Sequence, residues 1–262
     1  MAPMNLRRLF ASDGLKVGHS IFEFNTPGMG QIIAAAGVDF AFVDLEHSGF
    51  GFSELKEIVT SMRVAKIPSL VRPPSKAGHH ISRALDAGAD GLILPMVGTV
   101  EEAEKAVSDM KYPPVGRRGV ALGIAHDGYQ PGPPAEKLRS ANRRTALVTL
   151  IETAEGIENV DRIAAVKGVD VLWIGHFDLS TSLGIPADFD NPIYTKAVDK
   201  VRRAAKKHGK SLAQLVPEAA AGVALYKKGF DIICYNGDLW VYQQALTTGI
   251  RDLRAGVGKK RK

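Results

Sequence analysis

The sequence predicts an α/β fold, a single (β/α)8 barrel of the TIM type, on three observations. Eight short β-rich runs alternate with helical stretches along the whole length, the pattern of a parallel sheet with crossover helices. The runs are apolar on both faces, as buried parallel strands are. Three links repeat one signature, Gly37-Val38-Asp39, Gly88-Ala89-Asp90 and Gly229-Phe230-Asp231, with a glycine just past a helix and an aspartate just before a strand. The chain has 262 residues, close to the usual size of one such barrel. No shift in composition marks a second domain, so residues 1–262 read as one.

Residues 17–24, 40–46, 69–72 and 91–95 are the first four strands. Residues 147–151, 171–174, 211–215 and 232–235 are the other four. Helices are expected at 53–64 with Ser53 as N-cap, at 100–110, at 156–166 and at 195–208. Glu101, Glu102 and Glu104 near the start of the second of these suit the helix dipole. Eight units with short links close into a barrel more readily than they form an open sheet. The exception is 111–145, which carries Tyr112-Pro113-Pro114, Gly116-Arg117-Arg118-Gly119 and Pro131-Gly132-Pro133-Pro134. A long connection in a compact domain is usually functional, and this one is expected over the active-site face.

Composition excludes several classes. The chain is 45% apolar and 24% charged with no low-complexity tract, which argues against disorder. Cys234 is the only cysteine, so there is no internal disulfide framework and no Cys-based zinc cluster. It lies inside an apolar run and reads as a small buried hydrophobe rather than a nucleophile. Arg7 and Arg8 are followed by no apolar run, and no stretch nears the roughly 20 apolar residues that span a bilayer. A cytoplasmic location with no membrane partner is expected. The net charge is +6, part of it in a basic tail at 256–262. A solvated, frayed terminus is expected there. No aromatic-interleaved basic stripe accompanies it, so no nucleic-acid partner is expected. A mild positive field helps collect small anions. Gly28-Met29-Gly30 lacks the third glycine of a dinucleotide fingerprint.

Active sites of such barrels form at the C-terminal ends of the strands. Asp44, Glu46 and His47 follow the second run, and Arg72 ends the third. Glu152 follows the fifth, His176, Phe177 and Asp178 the sixth, and Asn236 and Asp238 the eighth. Asp39, Asp90 and Asp231 precede strands and fall at the opposite, structural end. Glu152 and Asp178, two carboxylates without cysteine partners, suit a hard cation such as magnesium or manganese. Two protein ligands leave positions for water and for a bidentate 2-oxo acid. The same residues also read as N-terminal helix charges, and the pattern alone leaves both readings open. His47, with an ordinary pKa of about 6.5, is the acid/base candidate. Asp44 or Glu46 beside it would raise its basicity, and a structural histidine is the other reading. Arg72 offers a bidentate fork for a carboxylate or an enolate oxygen, in a stiff frame set by Pro73-Pro74.

Six motifs in order then carry a resemblance: Asp44-Leu45-Glu46-His47, Val71-Arg72-Pro73, Leu94-Pro95-Met96-Val97, the run from Tyr112 to Val120, Ile151-Glu152-Thr153, and Gly175-His176-Phe177-Asp178-Leu179-Ser180. Over most of its length the chain resembles the class II pyruvate aldolases of the 4-hydroxy-2-oxoheptanedioate aldolase and citrate lyase beta-subunit superfamily. The resemblance implies a metal-dependent lyase that cleaves a 4-hydroxy-2-oxo acid to pyruvate and an aldehyde. It implies His47 as base acting through a water, and Asp86 raising the basicity of that histidine. Arg72 would stabilise the enolate and hold the pyruvate unit. Glu152 and Asp178 would hold magnesium, manganese or cobalt, and the backbone around Phe177 and Asp178 would bind the pyruvate carboxylate. It also implies a homo-oligomer, a hexamer built as a trimer of dimers, with the last helix exchanged between subunits. Oxaloacetate decarboxylation, a citrate-synthase-like condensation and a non-catalytic metabolite-binding barrel are the alternatives.

Two departures bear on the substrate. Leu150 stands where the family usually has Gln, which removes one hydrogen bond worth about 0.5–1.5 kcal/mol. His176-Phe177 stands where the family has Pro-Ala or Pro-Ser, and the bulk of Phe177 narrows or reshapes the pyruvate pocket.

Overall fold

In the computed structural model, which describes residues 5–257, α1 (Leu6–Phe10), β1 (Lys16–Ile21), α2 (Met29–Ala35), β2 (Phe40–Asp44) and α3 (Phe52–Val64) open the chain. There follow β3 (Ser69–Arg72), α4 (Gly78–Asp86), β4 (Gly91–Leu94), α5 (Val100–Met110), α6 (Pro134–Arg144), β5 (Ala146–Ile151) and α7 (Ala154–Ala165). Then come β6 (Val171–Ile174), α8 (His176–Ser182), α9 (Pro192–Lys207), β7 (Ser211–Val216), α10 (Ala219–Lys227), β8 (Ile232–Gly237) and α11 (Asp238–Val257). Each strand pairs in parallel with the next, and β8 returns to β1, closing an eight-stranded barrel. The expected strand set and fold class are those found. The basic tail falls from residue 258 onward outside the described residues. Among the described residues, no helix is long and apolar enough to cross a membrane.

Alternate strand residues face opposite sides, so two cores form. Phe40, Leu70, Val148, Val171 and Ile232 fill the barrel interior, and a second layer packs between strands and helices. Helix α1 closes the N-terminal mouth with Leu6 and Phe10 buried, the Phe10 ring edge-on to Phe40 at 5.2 Å.

The Gly–x–Asp links explain how the mouth is fastened. Gly37, Gly88 and Gly229 sit at φ +83°, +113° and +94°, the left-handed region that ends a helix cheaply only for glycine. Each aspartate then accepts the amide that opens the preceding strand: Asp39 from Val17 at 2.8 Å, Asp90 from Ser69 at 3.0 Å and Asp231 from Leu212 at 2.8 Å. A fourth copy, Gly168-Val169-Asp170, does the same for Leu147 at 2.9 Å, and Asp170 also accepts from Arg7 Nε at 2.7 Å. Asp170→Ala strands the buried Leu147 amide, and we expect it to cost about 1–3 kcal/mol. Urea unfolding should show a lower midpoint at an unchanged slope.

Some boundaries differ from the sequence expectation. Helix α3 is capped at Gly51, not Ser53, because the Glu54 carboxylate turns back to accept the Gly51 amide at 2.9 Å. Helices α7 and α9 start earlier than expected, since Thr153 accepts from Gly156 and Asn191 from Ile193, each at 2.9 Å. The long segment is also displaced from its expected face. It leaves the end of α5, which has already carried the chain back to the N-terminal end of the barrel. There Arg118 pairs with Asp86, Arg63 donates to the Ala125 carbonyl, and Lys111 Nζ donates to the Thr145 carbonyl at 2.7 Å.

Candidate active site

At the opposite end, Asp44 closes β2 and Arg72 closes β3, and the two are register partners. Asp44 is fully buried. Its two oxygens accept from Arg72 Nε and NH2, each at 2.7 Å. The same carboxylate accepts the amides of Glu46 at 3.0 Å and His47 at 3.2 Å, so it also shapes the turn that presents both. Arg72 NH1 lies 3.1 Å from Glu46 Oε2. Burial opposes the Arg72 charge, but Asp44 overcomes it and holds the guanidinium above its usual range. Burial lifts the Glu46 pKa, with Arg72 and His47 pulling against it. The His47 ring is 63% exposed, its Nε2 4.0 Å from Glu46 Oε2.

Glu152 follows β5 and is only 3% exposed. Its Oε1 accepts the Met96 amide at 2.6 Å, offered from the β4 exit by a backbone at φ +55°. Its Oε2 lies over Gly175, where an added Cβ would stand 2.3 Å away. Burial pushes the Glu152 pKa up to about 7, and Asp178 adds to the rise against the Met96 hydrogen bond. Asp178 lies in the first turn of α8. A buried carboxylate raised this far, with a second carboxylate beside it, is short of positive charge. Both donors are hard oxygens, so the pair fits a divalent cation of the magnesium type. Among the described residues, no group of three or more His, Cys, Asp or Glu side chains forms a metal-binding cluster, so other ligands would come from water and substrate.

His47, Arg72, Leu150, Glu152, Phe177 and Asp178 all line one cavity of about 340 Å³. A second recess of about 580 Å³ opens beside Lys210 and Asp231 at the N-terminal end, away from these groups. Within one chain Asp86 lies apart from His47: it ends α4 at the N-terminal side of the barrel and pairs with Arg118. Sequence reasoning placed Asp44 beside His47 but missed it as the anchor of Arg72. The opposite charges ending two successive strands were the available signal. It named Gly175 and Asp238 without their roles: Gly175 leaves room for Glu152 Oε2, and Asp238 accepts the amides of Phe22, Glu23 and Phe24 at 2.8–3.0 Å. Gly175→Ala is expected to displace Glu152 Oε2, lowering activity at least tenfold with little change in folding. Turnover and a melting curve on the same preparation check this.

A closed barrel that gathers an anchored arginine, a histidine and two carboxylates around one cavity has the parts of a TIM-barrel lyase. The HpcH/HpaI aldolase/citrate lyase family matches residues 22–239, and the chain belongs to that family. It is 31% identical over 215 residues to a Shigella boydii serotype 18 5-keto-4-deoxy-D-glucarate aldolase, covering 82% of this chain and 83% of that one. An HpcH/HpaI aldolase from Desulfitobacterium hafniense DCB-2 is similar in structure with a TM-score of 0.90 at 31% identity, covering 96% of this chain and 97% of that one. The citrate synthase SbnG is similar with a TM-score of 0.82 at 28% identity, covering 95% and 96%. These matches agree with the resemblance read from the six motifs, and the chain is an enzyme of the aldolase and lyase type.

Proposed function

We propose that the protein is a divalent-cation-dependent aldolase that cleaves 4-hydroxy-2-oxo acids to pyruvate and an aldehyde and runs the reverse addition. The observation that carries this is the buried Glu152, raised to about 7 beside Asp178 in the cavity that Arg72 lines. Glu152 and Asp178 would hold magnesium, manganese or cobalt, which when bound draws electron density from the 2-oxo group. The backbone at Phe177 and Asp178 receives the substrate carboxylate. His47, through a water, takes the proton of the C4 hydroxyl. The C3–C4 bond then breaks, its electron pair stays on the three-carbon fragment as an enolate, and the aldehyde departs. Arg72, fixed by Asp44, meets the enolate oxygen without reorganising. A proton returned to C3 gives pyruvate.

The test is pyruvate release from racemic 4-hydroxy-2-oxo acids with and without EDTA. Activity indifferent to EDTA overturns the cation's role. The likeness to SbnG supports a second reading, oxaloacetate decarboxylation or condensation in the manner of a citrate synthase. Carbon dioxide release from oxaloacetate, measured beside cleavage, separates the two.

The same reading includes a homo-oligomer with α11 exchanged between subunits. Tyr242, Leu246, Ile250, Leu253 and Val257 on that helix are 44–81% exposed, more apolar surface than a lone helix keeps in water. Light scattering at the mass of six 28.1 kDa chains supports it, and a monomer overturns it.

A further inference from the structure

The cavity has two unlike walls. One carries Arg72, Glu152 and Asp178. The other is a continuous run of rings: Trp240 to Phe22 at 5.0 Å, Phe22 to Phe42 at 6.1 Å and Phe42 to Trp173 at 5.6 Å between centroids. Its lower part follows from strand periodicity. Phe42, Leu150 and Trp173 each stand two residues before Asp44, Glu152 and Gly175, so they face inward one layer beneath the polar groups. Its upper part is held from outside the cavity. Asp238 ties the β1 exit to the start of α11 through three amides, which fixes Phe22 against Trp240.

The rings themselves offer a hydroxyl or a carboxylate only the two indole N–H groups; the polar side chains of the same cavity beyond Arg72, Glu152 and Asp178 are Glu23, His47 and His176. A substrate tail bearing such groups would be desolvated against rings without partners, whereas an apolar tail gains from the same contact. Leu150 and Phe177 push in the same direction, because each puts an apolar side chain where the resembling family has a smaller or more polar one. Phe177 stands at the mouth, 60% exposed, its ring 5.4 Å from Phe189.

We propose that the substrate carries an apolar group beyond C4, aromatic or extended aliphatic, so that the aldehyde released is an aryl or alkyl aldehyde rather than a hydroxylated or carboxylated one. This rests on the aldolase reading above. It separates the chain from the relatives named 5-keto-4-deoxy-D-glucarate aldolase, a name that denotes a hydroxylated dicarboxylate.

The chain's two tryptophans, Trp173 and Trp240, both lie on this wall, so intrinsic fluorescence reads its occupancy without turnover. The experiment titrates the intact protein in magnesium buffer with 4-phenyl-2-oxobutanoate and with 2-oxoadipate, neither of which has a C4 hydroxyl to cleave. Alongside, it measures pyruvate addition to benzaldehyde and to glyceraldehyde. The expected result is fluorescence change and binding about tenfold or more tighter for the phenyl compound, with a similar preference in kcat/KM for benzaldehyde. Trp240→Ser should collapse both ratios towards one. Equal or tighter binding of 2-oxoadipate, or faster addition to glyceraldehyde, overturns the proposal while leaving the aldolase reading standing. Phenyl-selective binding with neither aldehyde consumed supports the apolar wall and overturns the aldolase reading instead.

Discussion

Glu152→Gln is expected to lower aldol cleavage about a thousandfold and, in the cation-free protein, to raise stability at pH 8. The first effect follows from losing one of two carboxylates that would hold the cation, whose help to a developing enolate is several kcal/mol. The second follows from burial. The Glu152 pKa is raised from 4.5 to about 7 in the folded protein. A raised carboxyl binds a proton more tightly folded than unfolded, so its contribution to stability is full below pH 4.5 and is lost as the pH climbs through 7. The difference is on the order of 3 kcal/mol, or about 5–10 °C in melting temperature for a domain of this size. Glutamine cannot ionise, so the melting temperature of the variant should lack this component. The wild-type minus variant difference between pH 5 and pH 8 isolates it from the other titrating groups. A divalent cation should raise the wild-type melting temperature most near pH 8, where no proton has to be displaced, and should raise that of the variant little. A difference flat across this range would show that Glu152 is not buried as a strained carboxylate.

The barrel was legible because its information is local. Apolar runs such as Val171–Ile174 are strands by composition alone, and the glycines of the Gly–x–Asp links mark helix ends whatever surrounds them. The position of the polar residues along the chain was enough to bring His47, Arg72, Glu152 and Asp178 to one rim. What stayed hidden depends on neighbours distant in sequence. That Glu152 rests on Gly175 and the Met96 amide is a fact about β4, β5 and β6 together. That residues 111–133 fasten to Arg63 and Asp86 depends on which end of the barrel α5 reaches, which reading the segment as an extension of β4 did not consider. The Ser53 cap failed for a smaller reason: a glutamate three residues after a glycine can close a helix start without any hydroxyl.

Arg72→Ala is expected to remove activity about a hundredfold to a thousandfold and to destabilise the fold by about 3–5 kcal/mol, since it strands the buried Asp44 carboxylate without its cation. Both effects in one variant prove little, because an unfolded enzyme is also inactive. The companion Asp44→Asn/Arg72→Ala variant separates them. It removes the stranded charge, and the single amide oxygen can still accept one of the Glu46 and His47 amides that the two Asp44 oxygens held, so much of the lost stability should return. Activity should not return, because the enolate oxygen has still lost its guanidinium. The interaction energy from the cycle, read by urea unfolding, is expected at about 2–3 kcal/mol. Arg72→Lys keeps the charge but loses the fork, and it should fall between wild type and alanine in both measurements. If the double variant regained turnover along with stability, Arg72 would be a strut for the β2–β3 rim and not a partner of the substrate. The proposed chemistry would then rest on His47, Glu152 and Asp178 alone.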